Sequence, residues 1–441
     1  MQPYSQRRER ALDAFAGGVA VIPSARTLYR NGDSVYSFRQ NSDFHYLTGF
    51  GEPDALLVLA PERDGERSVL FLRGRDRAQE IWDGERLGPE RACEALGVDA
   101  AYPIGELAQR LPDYLVGAAN LHYAFGRDAE TDRILHEALE TARARTHRHG
   151  RMPQTFVEPS LVLDAMRAIK SELEVDVLRR AASITCAGHV AGMRSTSAGT
   201  FEYEIQAVIE SAYRRGGAQS TAYQSIVAAG DNATVLHYVA NRDRLESGAL
   251  LLVDSGCELD CYATDVTRTW PVDGRFTPEQ RSIYEIVLAA QEAAIGCVAP
   301  GMARNEFHDV AVRTITEGLI DLGLLTGSLD ENLEGERYRD YYMHGTGHWL
   351  GLDVHDAGAY RNADDSPVKF APGMVTTVEP GIYVRRDLDC DERFKGIGVR
   401  IEDDILVTAN GRDNLTAAIP KRIEDLEAIV GAGVRVPATV S

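Results

Sequence analysis

The sequence predicts a two-domain α+β protein, and three observations carry that expectation. At 441 residues the chain is too long for one ordinary hydrophobic core. Its N-terminal part alternates short apolar runs, bounded by turn residues, with helical stretches in an α/β manner. Its C-terminal part opens on a long helical pattern and continues into β-rich stretches that carry most of the candidate chemistry. The boundary is expected between about 155 and 175, giving domains of 1–168 and 169–441.

In chain order, Gly18 to Pro23, Ala55 to Ala60 and Ser68 to Leu72 read as buried strands. The Arg- and His-rich stretch Ala142 to Arg151, ahead of Met152-Pro153, reads as a surface crossing between the domains. Ser171 and Glu174 stand in capping-box spacing before Val175, Leu178, Ala182 and Ile184, so a long helix opens the second domain. Thr277, Pro278 and Gln280 mark another helix start, with Ile283, Ile286, Val287, Ala290 and Ala294 on one face and Pro300-Gly301 as the stop. A further helix is expected over Asn305 to Leu324. Leu250 to Val253 and Asp265 to Trp270 read as two strands, as do Met374 to Val378 and Gly398 to Val407.

Composition excludes several function classes. A net charge of −20 disfavours binding to nucleic acid or to an anionic membrane surface. Met1 to Phe15 is polar and arginine-bearing, without an apolar h-region, and no later apolar run approaches the length of a membrane span, so a cytoplasmic protein is expected. The six cysteines lack CxxC spacing and are expected as reduced thiols, mostly in the core, with neither a zinc knuckle nor a disulfide framework.

Five residues stand out as metal ligands: Asp254, Asp265, His348, Glu379 and Glu402. Oxygen-rich sets of this kind suit hard or borderline divalent ions such as Mn²⁺, and carboxylates can bridge two ions. A hairpin or loop between the Asp254 and Asp265 strands would bring the two acids together. Arg400 and Glu402, two residues apart in one expected strand, would share a face. An isolated acid at a strand end is ordinarily solvated. Glu379 and Glu402, however, sit within or directly after apolar runs, where an unpaired carboxylate costs several kcal/mol. A bound metal answers that cost, and a salt bridge to Arg400 is the alternative.

His344, His348 and His355 form a local cluster, and His237 is a weaker single case. Two glycines between His344 and His348, and no glutamate after His344, argue against a helical zincin motif.

With these residues assembled, the chain resembles the aminopeptidase P (Xaa-Pro aminopeptidase) family of pita-bread metallopeptidases. The similarity is carried by Leu236-His237-Tyr238, Val253-Asp254-Ser255-Gly256-Cys257, Tyr262 to Thr269, Met343 to Asp356, Thr377-Val378-Glu379-Pro380-Gly381-Ile382-Tyr383 and Gly398-Val399-Arg400-Ile401-Glu402-Asp403-Asp404. Arg39 to Phe50 resembles a segment of the family's N-terminal domain. The resemblance implies a creatinase-like N-terminal domain followed by a pita-bread domain, two divalent ions, usually Mn²⁺, and proline-containing peptides as substrates. It also implies a homodimer or homotetramer.

Residue by residue, the resemblance makes Asp254 a ligand of one ion, Asp265 and Glu402 bridges, and His348 and Glu379 ligands of the other. A hydroxide between the ions would be the nucleophile, with Glu379 also shuttling the proton. His237 and His355 would bond the scissile carbonyl or oxyanion. Arg400 and Tyr383 would support the metal shell and leaving group, and His344 and Tyr360 would line the proline pocket or its entry. Asp43 is placed to meet the substrate amine, and Trp82 resembles a tryptophan that in some relatives approaches a neighbouring subunit's site. Between the two histidines, Thr346-Gly347 departs from the commonest pair of close bacterial-type members and bears on pocket shape more than on metal binding.

The expected reaction is release of the N-terminal residue from Xaa-Pro-Zaa peptides. A prolidase cleaving only Xaa-Pro dipeptides is the nearest alternative. A non-catalytic peptide-binding module on the same fold, or metal-free creatinase-like hydrolysis, is disfavoured because all five ligand positions are filled.

Overall fold

The structure is a computed structural model that describes residues 3–146 and 150–433. The chain divides into two compact units, Met1–Arg167 and Ala168–Ser441.

The first unit is built on a six-stranded mixed sheet in the order Ala100–Pro103, Ser68–Leu72, Leu56–Leu59, Gly18–Pro23, Asn120–His122, Thr155–Val157. The three expected strands are present. They run antiparallel to one another, while the two flanking edges of the sheet pair in parallel. Val19, Val21, Leu56, Val58, Val69 and Phe71 alternate toward one face and pack against Leu111, Leu115, Leu135 and Leu139 of the helices Leu107–Leu115 and Ala129–Arg145. Strand alternation thus supplies one apolar face for the helices to cover.

The Arg- and His-rich stretch departs from expectation. Ala142 to Arg145 is the last turn of a helix, capped at its start by Asp128, which accepts from Thr131 N–H. Residues 147–149 lie outside the described residues, and the chain then returns to add Thr155–Val157 to the same sheet. The stretch is therefore followed by a strand of the first unit. A polar composition alone does not distinguish an exposed helix end from a linker.

In the second unit, the helix Glu172–Ser195 begins at the expected capping box and packs on Glu202–Gly216. Pro278–Cys297, capped by Thr277, packs on Glu306–Asp321. Strands Ile226–Ala229, Leu250–Asp254 and Thr267–Pro271 form one antiparallel sheet. Val375–Val378, Asp403–Thr408 and Gly411–Asn414 form a second, and Gly381–Val384 pairs with Ile397–Arg400. The core between helices and strands gathers Val253, Trp270, Ile283, Val287, Ile315, Ile382, Val399 and Ile401.

Two expected strands are shorter than predicted. Asp265 and Val266 precede the strand that begins at Thr267, and the Gly398–Val407 run breaks at Ile401-Glu402 into two strands of different sheets. Both interruptions fall at candidate ligands. Each releases a carboxylate from the ladder so that it can turn toward a common centre.

Candidate metal centre

Strand register assembles the site. Asp254 ends its strand opposite Thr267, so Asp265, two residues before Thr267, comes close to Asp254. Tyr223 Oη marks that approach, lying 2.5 Å from Asp254 Oδ1 and 2.6 Å from Asp265 Oδ1. Between the acids, Gly256 passes so close to the Thr264 carbonyl that a Cβ there would clash. Asp404 Oδ2 accepts the Asp265 N–H at 3.2 Å and holds the loop.

Thr267 connects the second pair. Its Oγ1 donates to Glu402 Oε2 at 2.7 Å and accepts from Arg400 Nε at 2.9 Å. Arg400 and Glu402 therefore meet at one place although the strand between them is broken. Arg400 also donates to Asp254 Oδ2 at 2.6 Å and to Tyr383 Oη at 3.0 Å. Behind Glu402, fully buried Arg268 donates to the Glu402 carbonyl at 2.5 Å and to Asp403 at 2.6 Å, where Lys421 and Gln291 also converge.

His348 arrives from the loop after Tyr342. Its backbone pairs with Thr377, and its Nδ1 contacts the Trp349 carbonyl at 3.0 Å. This leaves Nε2 3.3 Å from Asp265 Oδ2 and 3.5 Å from Glu379 Oε1. Asp265, His348 and Glu402 each offer a ligand atom within 4.8 Å of the others. That spacing is compatible with a shared cation.

The electrostatics favour one. Burial, with Asp265 adding to it, raises Asp254 despite the Arg400 guanidinium. Burial and the neighbouring carboxylates push Glu402 well above the usual carboxylate range. Burial brings Glu379 to about 7, Asp265 adding to the shift and His348 opposing it. Burial alone would lower His348, but the hydrogen bond and charge of Asp265 carry it up to about 9. Asp254, Glu379 and Glu402 are thus raised for want of positive charge, which a bound divalent ion would supply. The donor set fits such an ion.

A cavity of about 310 Å³ opens above these groups, lined by Leu236, His237, Asp254, His344, Gly345, Gly347, His348, His355, Glu379 and Arg400. The His355 ring packs edge-on to His348 at 4.3 Å, and His344 Nε2 lies 2.8 Å from Tyr383 Oη. Tyr383 is fully buried beneath the cavity, among Ile226, Ala228 and Leu252. Tyr360 is half exposed, its ring 4.1 Å from the Arg304 guanidinium, and is not among the lining residues.

Asp43 and Trp82 belong to the first unit. There Asp43 pairs with Arg167 at 2.8 Å in the first turn of Ser42–Thr48, and Trp82 is 84% exposed on Arg77–Asp83. Thr267, Arg268 and Asp403 fall inside segments that carry the family resemblance without a role of their own there, and Tyr223 falls outside all of them. Tyr223 is one tyrosine of 18 in a loop without a motif, and only the strand register reveals its two acidic partners.

Residues 176–409 match metallopeptidase family M24, and residues 4–123 match the aminopeptidase P N-terminal domain. The chain is 42% identical to a Xaa-Pro aminopeptidase of Escherichia coli over 98% of both chains, and 44% identical to one of Haemophilus influenzae over 97% of this chain and 96% of that one. An aminopeptidase structure from Pseudomonas aeruginosa superposes with a TM-score of 0.95 at 44% identity over 97% of each chain. Zinc-substituted E. coli aminopeptidase P in complex with product gives 0.94 at 42% identity, again over 97% of each. The chain therefore belongs to metallopeptidase family M24, among the Xaa-Pro aminopeptidases that carry an aminopeptidase P N-terminal domain, and it is a hydrolase.

Proposed function

We propose that Asp254, Asp265, His348, Glu379 and Glu402 hold two divalent ions, Mn²⁺ by preference, and that the chain uses them to release the first residue of Xaa-Pro-Zaa peptides. The observation that carries this reading is the convergence of Asp265, His348 and Glu402 donor atoms within 4.8 Å, with His348 also lining a cavity shared with His237, His344 and His355. Asp265 and Glu402 would be shared between the two ions. Asp265 stands between Asp254, through Tyr223, and His348, while Glu402 is fixed from the opposite side by Thr267. Asp254 would hold one ion, and His348 and Glu379 would hold the other. When bound, the ions would supply Lewis-acid chemistry, activating a water and polarising the scissile carbonyl.

The chain's own residues do the rest. Glu379, whose backbone N–H is fixed on the Thr346 carbonyl, takes the proton of the attacking water and delivers it to the prolyl nitrogen as that bond breaks. His237 and His355 line the cavity and donate to the carbonyl oxygen as its charge grows. Arg400 and Tyr383 hold the floor, and His344 shapes the proline pocket, with Tyr360 toward its entry. A shaped pocket is needed because the bond before proline is a tertiary amide without an N–H for backbone recognition.

The reading extends to a cytoplasmic homodimer or homotetramer. The scattered spacing of the cysteines supports the compartment, and exposed Leu28, Tyr29, Val35, Tyr36, Ile81 and Trp82 of the first unit support association. Among the described residues no helix is long and apolar enough to cross a membrane.

The test is to incubate Mn²⁺-loaded protein separately with Xaa-Pro-Zaa tripeptides and Xaa-Pro dipeptides and to identify products by mass spectrometry. Release of the first residue from tripeptides is expected. Turnover of dipeptides alone would replace the reading with a prolidase.

A further inference from the structure

Thr346 provides the only side chain larger than hydrogen between His344 and His348, since both of its neighbours are glycines. At Gly347 a Cβ would clash with the Thr377 carbonyl, so that position is given over to close backbone approach. Thr346 itself is 2% exposed. Its Oγ1 lies 2.6 Å from Tyr342 Oη and 2.8 Å from His308 Nδ1. A threonine hydroxyl has one proton and two lone pairs, so both contacts can be satisfied at once. His308 sits on the helix Glu306–Asp321, which places one end of this relay on a rigid element.

The two histidines on this loop are secured by different means. His348 is tied to the strand Val375–Val378: its carbonyl accepts from Thr377 N–H and Thr376 Oγ1, and its N–H donates to Thr377 Oγ1. His344 is held by its ring, with Nδ1 2.7 Å from the Gly345 carbonyl and its other contacts made to side chains. Its ring meets Tyr342 edge-on, with centroids 4.9 Å apart and planes at 86°, and its Nε2 reaches Tyr383 at 2.8 Å. Tyr342 therefore touches His344 with its ring and Thr346 with its hydroxyl. Removing the Thr346 hydroxyl would break the hydrogen-bonded bridge from Tyr342 to His308, leaving only their ring contact at 6.1 Å, while the bonds that fix His348 stay in place.

We propose that Thr346 is a positioning residue that, through Tyr342 and with His308 as anchor, sets the orientation of His344 in the substrate pocket independently of the metal ligand His348. The inference rests on the reading of His344 as a pocket residue. It makes Thr346 a determinant of peptide binding, although its side chain is sealed from the cavity.

The experiment compares T346V, T346S and Y342F with the unmodified protein in three measurements: steady-state kinetics on a Xaa-Pro-Zaa tripeptide, Mn²⁺ affinity by titration, and ¹⁵N–¹H spectra of histidine rings in metal-free protein. T346V is expected to raise KM about 3- to 10-fold, the effect of losing one buried hydrogen bond. Its Mn²⁺ affinity should stay within about 2-fold, and the His344 ring signals should shift or broaden. T346S restores the hydroxyl and should restore both KM and spectrum. Y342F should reproduce T346V, and the double variant T346V/Y342F should be no worse than either single, because both act along one path. Unchanged His344 signals and KM in T346V would overturn the proposal, as would a loss of Mn²⁺ affinity matching the rise in KM. If the unmodified protein does not cleave the tripeptide, the proposed reaction fails, while the metal-free spectra still decide whether Thr346 positions His344.

Discussion

Arg400 Nη2 lies 2.6 Å from Asp254 Oδ2 on the floor of the cavity, while the same guanidinium donates to Thr267 through Nε and to Tyr383 through Nη1. One planar group thus orients Asp254, a proposed metal ligand, together with the hydroxyl that fixes Glu402 and the phenol that meets His344. A lysine ammonium is a point charge and cannot reproduce that fork. Arg400→Lys is expected to weaken Mn²⁺ binding about 10- to 100-fold, the usual penalty for disturbing groups that orient ligands. Titration calorimetry checks this, and unchanged affinity would remove the role.

The protonated ligand cluster predicts a pH dependence specific to metal-free protein. Glu379 holds its proton up to about 7 in the folded chain, against an ordinary value of 4.5, and His348 holds its proton up to about 9 against 6.5. Asp254 and Glu402 are raised as well. In each case the folded state binds more protons than the unfolded one, so stability falls as pH rises from the ordinary values through the folded ones. Metal bound at the proposed ligands would displace these protons. Denaturant unfolding between about pH 5 and pH 8 with chelator should show the decline, whereas saturating Mn²⁺ should flatten it and its binding should release protons. A metal-free protein that gains stability with pH across that range would contradict the charge balance described for the site.

A buried pair beneath the site carries a different expectation. Arg268 and Asp403 meet at 2.6 Å with both side chains closed to solvent, and burial of Asp403 is outweighed by Arg268 and Lys421, which hold its carboxyl well below the usual range. Asp403→Asn leaves two cations facing a neutral amide, and breaking a buried pair in this way costs about 3–5 kcal/mol. Urea unfolding should show that loss. Because Arg268 also donates to the Glu402 carbonyl, Mn²⁺ affinity should fall together with stability.

The sequence displays some parts of this site and hides others for physical reasons. Asp254 is visible because an apolar run ends on it, and the helices Glu172–Ser195 and Pro278–Cys297 because capping boxes open them. Asp265 and Glu402 are visible as candidates, but their strands are read too long, since β-prone residues continue across the points where the backbone leaves the ladder. The two-residue spacing of Arg400 and Glu402 suggests a shared strand face. They instead meet through Thr267, from another strand, which no local pattern encodes. Tyr223 is hidden for the same reason: its partners are 31 and 42 residues away. Tyr223→Phe removes the hydroxyl between two buried acids and should lower Mn²⁺ affinity about 10-fold or more, measured by the same titration.

Glu379→Gln separates the chemical role of this side chain from its structural one. The backbone N–H of residue 379 stays bonded to the Thr346 carbonyl whatever the side chain, and the amide has nearly the shape of the carboxylate. The fold should persist, and metal-free protein should not lose stability at neutral pH, because the substitution removes a buried carboxyl whose ionisation is opposed by burial and by Asp265. An amide cannot accept the proton of the attacking water. Turnover of Xaa-Pro-Zaa tripeptides should therefore fall about 10²- to 10⁴-fold even at Mn²⁺ concentrations that saturate the variant. Near-normal turnover would transfer the proton-shuttling role to another group, and recovery of turnover on raising Mn²⁺ would mean that Glu379 acts only as a ligand.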